Sequence, residues 1–357
     1  MTRSTEATPS SQAGEPVVNP RKGKIVLAHG GGGQLTDELI AEVIRPRLDN
    51  PILSELDDSA VLPAEAGRLA FTTDSYVVQP LEFPGGDIGR LAVCGTVNDL
   101  AVCGADPRHI SLGLILEEGL EIDLLKRVLD SAAAAAKEAG VQIVTGDTKV
   151  VGRGQADGMY INTAGLGMIR KNVKLGLDRI QPGDAVIVSG QIADHGLAVM
   201  LQREEQTGIA STLKSDVAPL NRMIGALFDR VAESVVFMRD ATRGGLAGVL
   251  SDLAERSGHH LTVDEAMIPI RQETRYAAEM LGLDPLDVAN EGKVVVVVRP
   301  EAAEPALEAL RKDRWGTEAA TIGYFECERD GLCELITEVG GRRIIQKPYG
   351  EELPRIC

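Results

Sequence analysis

Apolar positions along this chain switch between a period of two and a period near 3.6, and the switches outline alternating strands and helices. In the first half, Leu69-Ala70-Phe71-Thr72 predicts a strand, and Leu91, Ala92, Gly95 and Val102 mark the apolar stripe of a helix from Asp87 to about Gly104. A strand over Ile110 to Leu116, a helix from Glu121 to Ala139, and strands over Val141 to Thr145 and Met159 to Ile169 follow. The alanines at 132 to 136 continue a good helix former behind Leu124, Leu125, Val128 and Leu129, so they belong to a packed helix. Gln181-Pro182-Gly183-Asp184 is a turn signal that divides the chain.

Beyond it come a strand at Ala185 to Val188, helices from about His195 to Arg203 and over 219 to 232, a strand at Val235 to Met238, and a helix from Thr242 to Ser257. Val294 to Val298 is apolar on both faces, which predicts a central strand covered on both sides. The fold class expected is α/β (α+β) in two units, 23–180 and 181–346. Residues 1–22 are polar and without period, and read as a disordered tail. Residues 347–357 hold two prolines and no period, and read as a flexible, exposed ending that bears Cys357.

Charge narrows the function. With 37 basic and 53 acidic residues the net charge is −16, which disfavours nucleic acid and anionic membranes as partners. The opening residues show no signal-peptide core and no stretch approaches ~20 apolar residues, so a cytoplasmic location is expected. Five cysteines are a poor disulfide framework; Cys94 and Cys103 are assigned to core packing, and Cys327 and Cys333 lack the histidines of a zinc site. Gly makes up 39 residues and aromatics only 3%, favouring sites built from backbone.

The glycines and acids cluster. His29-Gly30-Gly31-Gly32-Gly33 precedes a short helix with Thr36 as its N-cap candidate, and Gly31, Gly32 and Gly33 are placed to turn amides toward an anion. Taken alone, the run reads equally as a flexible loop. Acidic residues recur where elements end: Asp57-Asp58-Ser59, Thr73-Asp74, Asn98-Asp99, Gly146-Asp147-Thr148 and Asp240-Ala241-Thr242-Arg243-Gly244-Gly245. Each Asp fits a cap or turn by itself, but five such sites beside glycines suit Mg-nucleotide, because magnesium takes carboxylate and phosphate oxygens. The candidate nucleotide contacts are thus Gly31, Gly32, Gly33, Asp58, Asp74, Asn98, Asp99, Gly146, Asp147, Asp240, Gly244 and Gly245; the candidate metal ligands are Asp57, Asp74, Asp99 and Asp147. The polar pair Asn98-Asp99 inside an apolar helix also demands partners, either buried hydrogen bonds or a ligand.

Thr145-Gly146-Asp147-Thr148-Lys149-Val150, Ser189-Gly190, Asp194-His195-Gly196, Arg239-Asp240-Ala241-Thr242-Arg243-Gly244-Gly245-Leu246, Asn290-Glu291-Gly292-Lys293 and the ending Leu353-Pro354-Arg355-Ile356-Cys357 together resemble the HypE family of carbamoyl dehydratases. That family sits in the superfamily of aminoimidazole ribonucleotide synthetase, selenophosphate synthetase and thiamine monophosphate kinase. The resemblance runs from about His29 to the last residue, and Asp194-His195-Gly196 and Pro354-Arg355-Ile356-Cys357 are its family-specific parts. It implies a PurM-like two-domain fold whose N-terminal domains pair in a homodimer through a barrel-like sheet. It also implies ATP-dependent conversion of an S-carbamoyl group on Cys357 to S-thiocyanate for nickel-iron hydrogenase assembly, with ATP and Mg2+ as cofactors. Implied partners are the carbamoyltransferase HypF and the HypC–HypD complex; implied catalytic residues are Cys357, Glu291 and Lys149. A free thiol on an 11-residue ending, reaching about 36–40 Å when extended, suits alternate visits to an internal and a partner site. The rival readings are a small-molecule kinase or synthetase of the same superfamily and a non-catalytic scaffold.

Overall fold

The computed structural model describes residues 23–31, 33–55, 60, 62, 66–204, 212–347 and 355–357. The expected 1–22 tail and the candidate residues Gly32, Asp57 and Asp58 lie outside the described residues.

A 3-10 turn at Leu27–Gly30 leads into α1 (Gln34–Leu39), which runs through a π-helical stretch, Ile40–Ile44, into α2 (Arg45–Leu48). The helix begins two residues before Thr36 and its N-cap is Gly33, not the threonine expected, because the extended backbone of Gly33 already presents its carbonyl to Thr36. Then follow β1 (Leu69–Tyr76), the short hairpin β2 (Glu82–Phe83) and β3 (Gly86–Asp87), α3 (Ile88–Val102), β4 (Ala105–Glu117), α4 (Ile122–Ala139), β5 (Gln142–Val151) and β6 (Met159–Ile169). Asp87 caps α3 by accepting the Gly89 and Arg90 amides. The four-stranded sheet has the order β1-β6-β4-β5, antiparallel except for the β4–β5 pair. α3 and α4 cover one face, and Leu69, Phe71 and Ile115 stand exposed on the strands.

The second half builds β7 (Ala185–Val188), α5 (Asp194–Glu204), α6 (Asn221–Val231), β8 (Val235–Asp240), α7 (Gly245–Ser257), β9 (Leu261–Asp264) and α8 (Gln272–Leu281). It ends with β10 (Val294–Val298), α9 (Ala303–Arg311), β11 (Ala320–Phe325), β12 (Cys333–Ile336) and β13 (Arg342–Ile345). Its sheet has the order β13-β12-β9-β11-β7-β10-β8. All five valines of β10 are buried between β7 and β8, as their two-faced apolarity predicts. Val294, Val296 and Val298 pack with Leu227 of α6 and Leu310 of α9, while Val295 and Val297 pack with Leu197 of α5 and Leu250 of α7. Alternation along an extended strand divides the two layers.

The helix expected from Thr242 starts at Gly245, because Gly244 (φ 76°) and Gly245 (φ 58°) both lie in the left-handed region. A side chain on Gly245 would also meet the Leu286 carbonyl at 2.4 Å. The two halves share cores: Val199, Val217 and Ala289 join the first, and Ala101 and Val102 of α3 join the α6–α9 layer. All five cysteines are free; Cys94 and Cys333 are buried, whereas Cys103, assigned to the core from its helical position, is exposed at the C-cap of α3. No helix among the described residues is long and apolar enough to cross a membrane.

Candidate active site

β1 and the last turns of α3 bring the first acids together. Thr72 Oγ1 donates to Asp99 Oδ2 at 2.9 Å, and the Tyr76 hydroxyl donates to Asp74 Oδ2 at 3.4 Å. Burial pushes Asp99 up to about 7, helped by Asp240 and by the hydrogen-bonded carboxyl of Asp74. Asp240 ends β8 and is itself pushed up to about 6 by burial, against the pull of Arg239. Glu291 is only 3% exposed, and burial followed by the charges of Asp240, Asp216, Asp74 and Asp99 holds its carboxyl well above the usual range. Neither half of the chain contains this cluster alone: Asp74 and Asp99 come from the first, Asp240 and Glu291 from the second.

The loop before β10 is held by its own polar side chains. Asn290 Oδ1 accepts the Ala193 amide at 2.7 Å and its Nδ2 donates to the Ala241 carbonyl at 2.8 Å, tying the starts of α5 and the β8–α7 turn to one point. The Glu291 amide donates to Asp216 Oδ1 at 3.0 Å, and Lys293 pairs with Asp216 Oδ2 at 3.1 Å while donating to the Gly292 carbonyl. Asn98 has the buried partners its helix position demanded: Nδ2 donates to the Ala218 carbonyl, and Oδ1 accepts the Leu220 amide at 2.7 Å. Its amide therefore clamps the two halves together.

Residues 355–357 are seated inside this junction, where the sequence predicts an exposed ending. Ile356 is 3% exposed because it joins the first core, and the Val77 and Gln79 amides donate to the Cys357 and Arg355 carbonyls, each at 3.2 Å. Arg243 Nε donates to Cys357 Sγ at 3.3 Å. Burial foremost, then Glu291, pushes the thiol up to about 11, with Arg243 opposing. So the thiol faces a carboxyl that can carry a proton and a guanidinium that can neutralise charge.

A second group of candidates lies elsewhere. Asp147 and Lys149 sit exposed on β5 and pair with each other at 3.1 Å; Lys149 is not among the main charges acting on Glu291. Gly31 and Gly33 belong to the neighbouring loop, whose Gly30 packs on Val150 of β5. Gly146 is a glycine because a side chain there would meet the Leu112 carbonyl of β4 at 2.4 Å. Beside it, Thr145, Gly146, Asp37 and Arg45 help line a cavity of about 470 Å³. Across the sheet Asp74 is in register with Thr163, Thr163 with Leu112, and Leu112 with Gly146, so β1 and β5 are three strand spacings apart, roughly 14 Å. Asp74, Asp99 and Asp147 therefore do not gather around one point within a single chain. Among the described residues, the group of three metal-type side chains that does converge is His260, Glu328 and Asp330, brought near one another by the second sheet.

Residues 56–169 match the family model described as AIR synthase related protein, N-terminal domain, and residues 181–331 match the corresponding C-terminal domain. The carbamoyl dehydratase HypE of Rhizobium leguminosarum bv. viciae is 46% identical over 335 residues, covering 94% of this chain and 95% of that protein. The chain belongs to the HypE family. A crystal structure of a HypE protein in complex with ATP superposes with a TM-score of 0.88 at 46% identity, covering 93% of this chain and 99% of that one. A HypE–HypF complex matches with a TM-score of 0.75 at 43% identity, covering 87% of this chain and 99% of that one. Membership gives the family-specific motifs a structural meaning that their sequence alone does not. Arg243, Tyr76 and Asp216 join the site from outside the candidate set; Arg243 lies within Arg239–Leu246, and the alternation Thr72, Asp74, Tyr76 along β1 is the signal for Tyr76.

Proposed function

We propose that this chain is an ATP-dependent carbamoyl dehydratase that acts on its own Cys357 in the cytoplasm, supplying the cyanide ligand for nickel-iron hydrogenase assembly. The observation that carries this reading is the seat of the Cys357 thiol beside Glu291 and Arg243, at the junction that gathers Asp74, Asp99 and Asp240. A carbamoyl group on Sγ would place its amide in this pocket. The carbamoyl oxygen takes the γ-phosphoryl group of ATP and becomes a leaving group; loss of both N–H protons and of phosphate then leaves S–C≡N, with ADP as co-product. Glu291 is the proposed base, since burial and the neighbouring acids raise its proton affinity above that of an ordinary carboxylate. Arg243 is positioned to offset charge at the amide or sulfur.

The hydrogen-bonded carboxyls of Asp74 and Asp99 are hard oxygen donors that fit Mg2+, with Asp240 as a further acid nearby. Bound magnesium would neutralise phosphate charge during transfer. The open face of the four-stranded sheet supports a homodimer of barrel-like pairing: Leu69, Phe71 and Ile115 are exposed on it. In this reading Lys149 and Asp147, together with Gly31, Gly32, Gly33 and Gly146, complete the nucleotide site from the second copy, because β5 is too far from Asp74 in one chain. Asp57 and Asp58 are proposed to join them; Gly244 and Gly245 shape the turn beside Asp240. HypF is the proposed carbamoyl donor and the HypC–HypD complex the proposed acceptor of cyanide. The test is mass spectrometry of the terminal peptide: carbamoylated chain given Mg-ATP should lose the mass of one water, and an unchanged peptide alongside ADP release would refute the reading.

A further inference from the structure

The chemistry proposed above leaves the family-specific Asp194-His195-Gly196 without a role. Asp194 is accounted for by packing: it accepts from Thr274 Oγ1 at 2.6 Å and from Arg271 Nε at 3.0 Å, which fastens α5 to α8. His195 has no solvent exposure and stands edge-on to Phe83, with ring centroids 5.4 Å apart. Its Nδ1 is 2.8 Å from Ser215 Oγ and its Nε2 is 3.0 Å from the Ile356 carbonyl. A carbonyl only accepts, so Nε2 carries the proton; Nδ1 then accepts from the Ser215 hydroxyl, whose oxygen in turn accepts the Val217 amide at 3.1 Å. One tautomer satisfies the whole relay, and it points a donor at the carbonyl of the penultimate residue.

The rest of the seat explains why that carbonyl matters. The Arg355 and Cys357 carbonyls face residues 77–79, where backbone amides and Arg203 Nη2 meet them. The Ile356 carbonyl is met instead by His195 Nε2. Arg355 adds an outer fastening, Nη1 to Asp157 Oδ2 at 2.5 Å.

We infer that His195 is a positioning residue for dehydration: through the Ile356 carbonyl it holds the terminal segment in the one placement that aims Cys357 Sγ at Glu291 and Arg243. This rests on the reading that Cys357 carries the reacting group. His195 itself touches no reacting atom.

The experiment uses the full chain and two substitutions at one position. His195→Phe fills the space without an N–H, and His195→Gln keeps an amide donor near Nε2. In the unmodified proteins, the rate at which iodoacetamide labels Cys357 is followed by mass of the terminal peptide; in the carbamoylated proteins, single-turnover water loss is followed at saturating Mg-ATP. His195→Phe is expected to label about tenfold faster and dehydrate about tenfold slower, as loss of one buried hydrogen bond allows, while His195→Gln recovers most of both and the ATP concentration for half-maximal rate stays unchanged. Asp157→Ala, on the surface, should raise labelling by a few-fold without touching the site. Equal labelling and equal turnover for the Phe and Gln variants at matched melting temperatures would overturn the inference, as would parent-like behaviour of the Phe variant. Failure of the parent itself to lose water would instead refute the dehydratase reading, and the labelling contrast would still measure the seat.

Discussion

Asn98 on α3 donates to the backbone carbonyl of Glu291 at 3.4 Å, linking the helix that carries Asp99 to the proposed base of the other half. Residues so far apart in the chain meet only through folding, and the contact ties catalytic geometry to domain packing. Because Asn98 also bonds Ala218 and Leu220, it clamps the two halves at this point.

Asn98→Ala is expected to lower stability by about 2–4 kcal/mol, since it leaves several buried backbone groups unpaired. Asn98→Asp should be no better, as a carboxylate cannot donate. Urea unfolding measures the loss, and calorimetric ATP titration of the folded fraction should show affinity within a few-fold of the parent.

Glu291→Gln keeps the shape of the side chain and removes the base. Dehydration should fall by about 10²–10⁴-fold while carbamoylated chain accumulates. The same change should stabilise the protein increasingly as pH rises above the ordinary carboxylate range, because burial first, and then Asp240, Asp216, Asp74 and Asp99, oppose ionisation of Glu291. Rapid-quench turnover and thermal unfolding at pH 8 check the two halves of this expectation.

Asp99 gives the pH dependence a sign. Its folded pKa of about 7 lies above the ordinary 3.8, so the stability it contributes is fully present below about pH 4 and is lost as pH rises through 7. The difference in melting temperature between Asp99→Asn and the parent should therefore grow in favour of the variant from pH 4 to pH 8, by about 2–4 °C for each kcal/mol. Adding Mg2+ should raise the parent's melting temperature more at pH 8 than at pH 5, and should do little for Asp99→Asn.

Arg243 lowers the pKa of a thiol that burial and Glu291 raise to about 11. Arg243→Met should move the pH profile of Cys357 alkylation to higher pH and slow labelling at pH 9 by several-fold. A profile displaced to lower pH would contradict the contact.

The strand arithmetic that separates Lys149 from Asp74 predicts complementation. Chains bearing Lys149→Ala and chains bearing Glu291→Gln, each inactive alone, should regain a substantial part of parent turnover after co-refolding, because mixed dimers hold one intact site. Phe71→Lys, on the exposed face of β1, should yield a folded monomer by sedimentation that does not complement.

What the sequence by itself determined was local and periodic. Five consecutive valines required a strand covered on both faces, and β10 is that strand; the stripe around Leu91 and Val102 required a buried helix, and the polar pair on it required partners. The motifs also singled out the candidate side chains. Tertiary structure alone decided which of them meet. Asp74 and Asp147 flank the same sheet and look equivalent as motifs, yet the order β1-β6-β4-β5 puts two strands between their own. Cys357 ends a segment without period, yet Ile356 finds an apolar core and the carbonyls of 355–357 find donors on the first half and on α5. Side-chain periodicity reports the burial of a segment against whatever covers it. It carries no information about the direction between two covered segments, and at this junction that direction places the thiol within hydrogen-bond reach of Arg243.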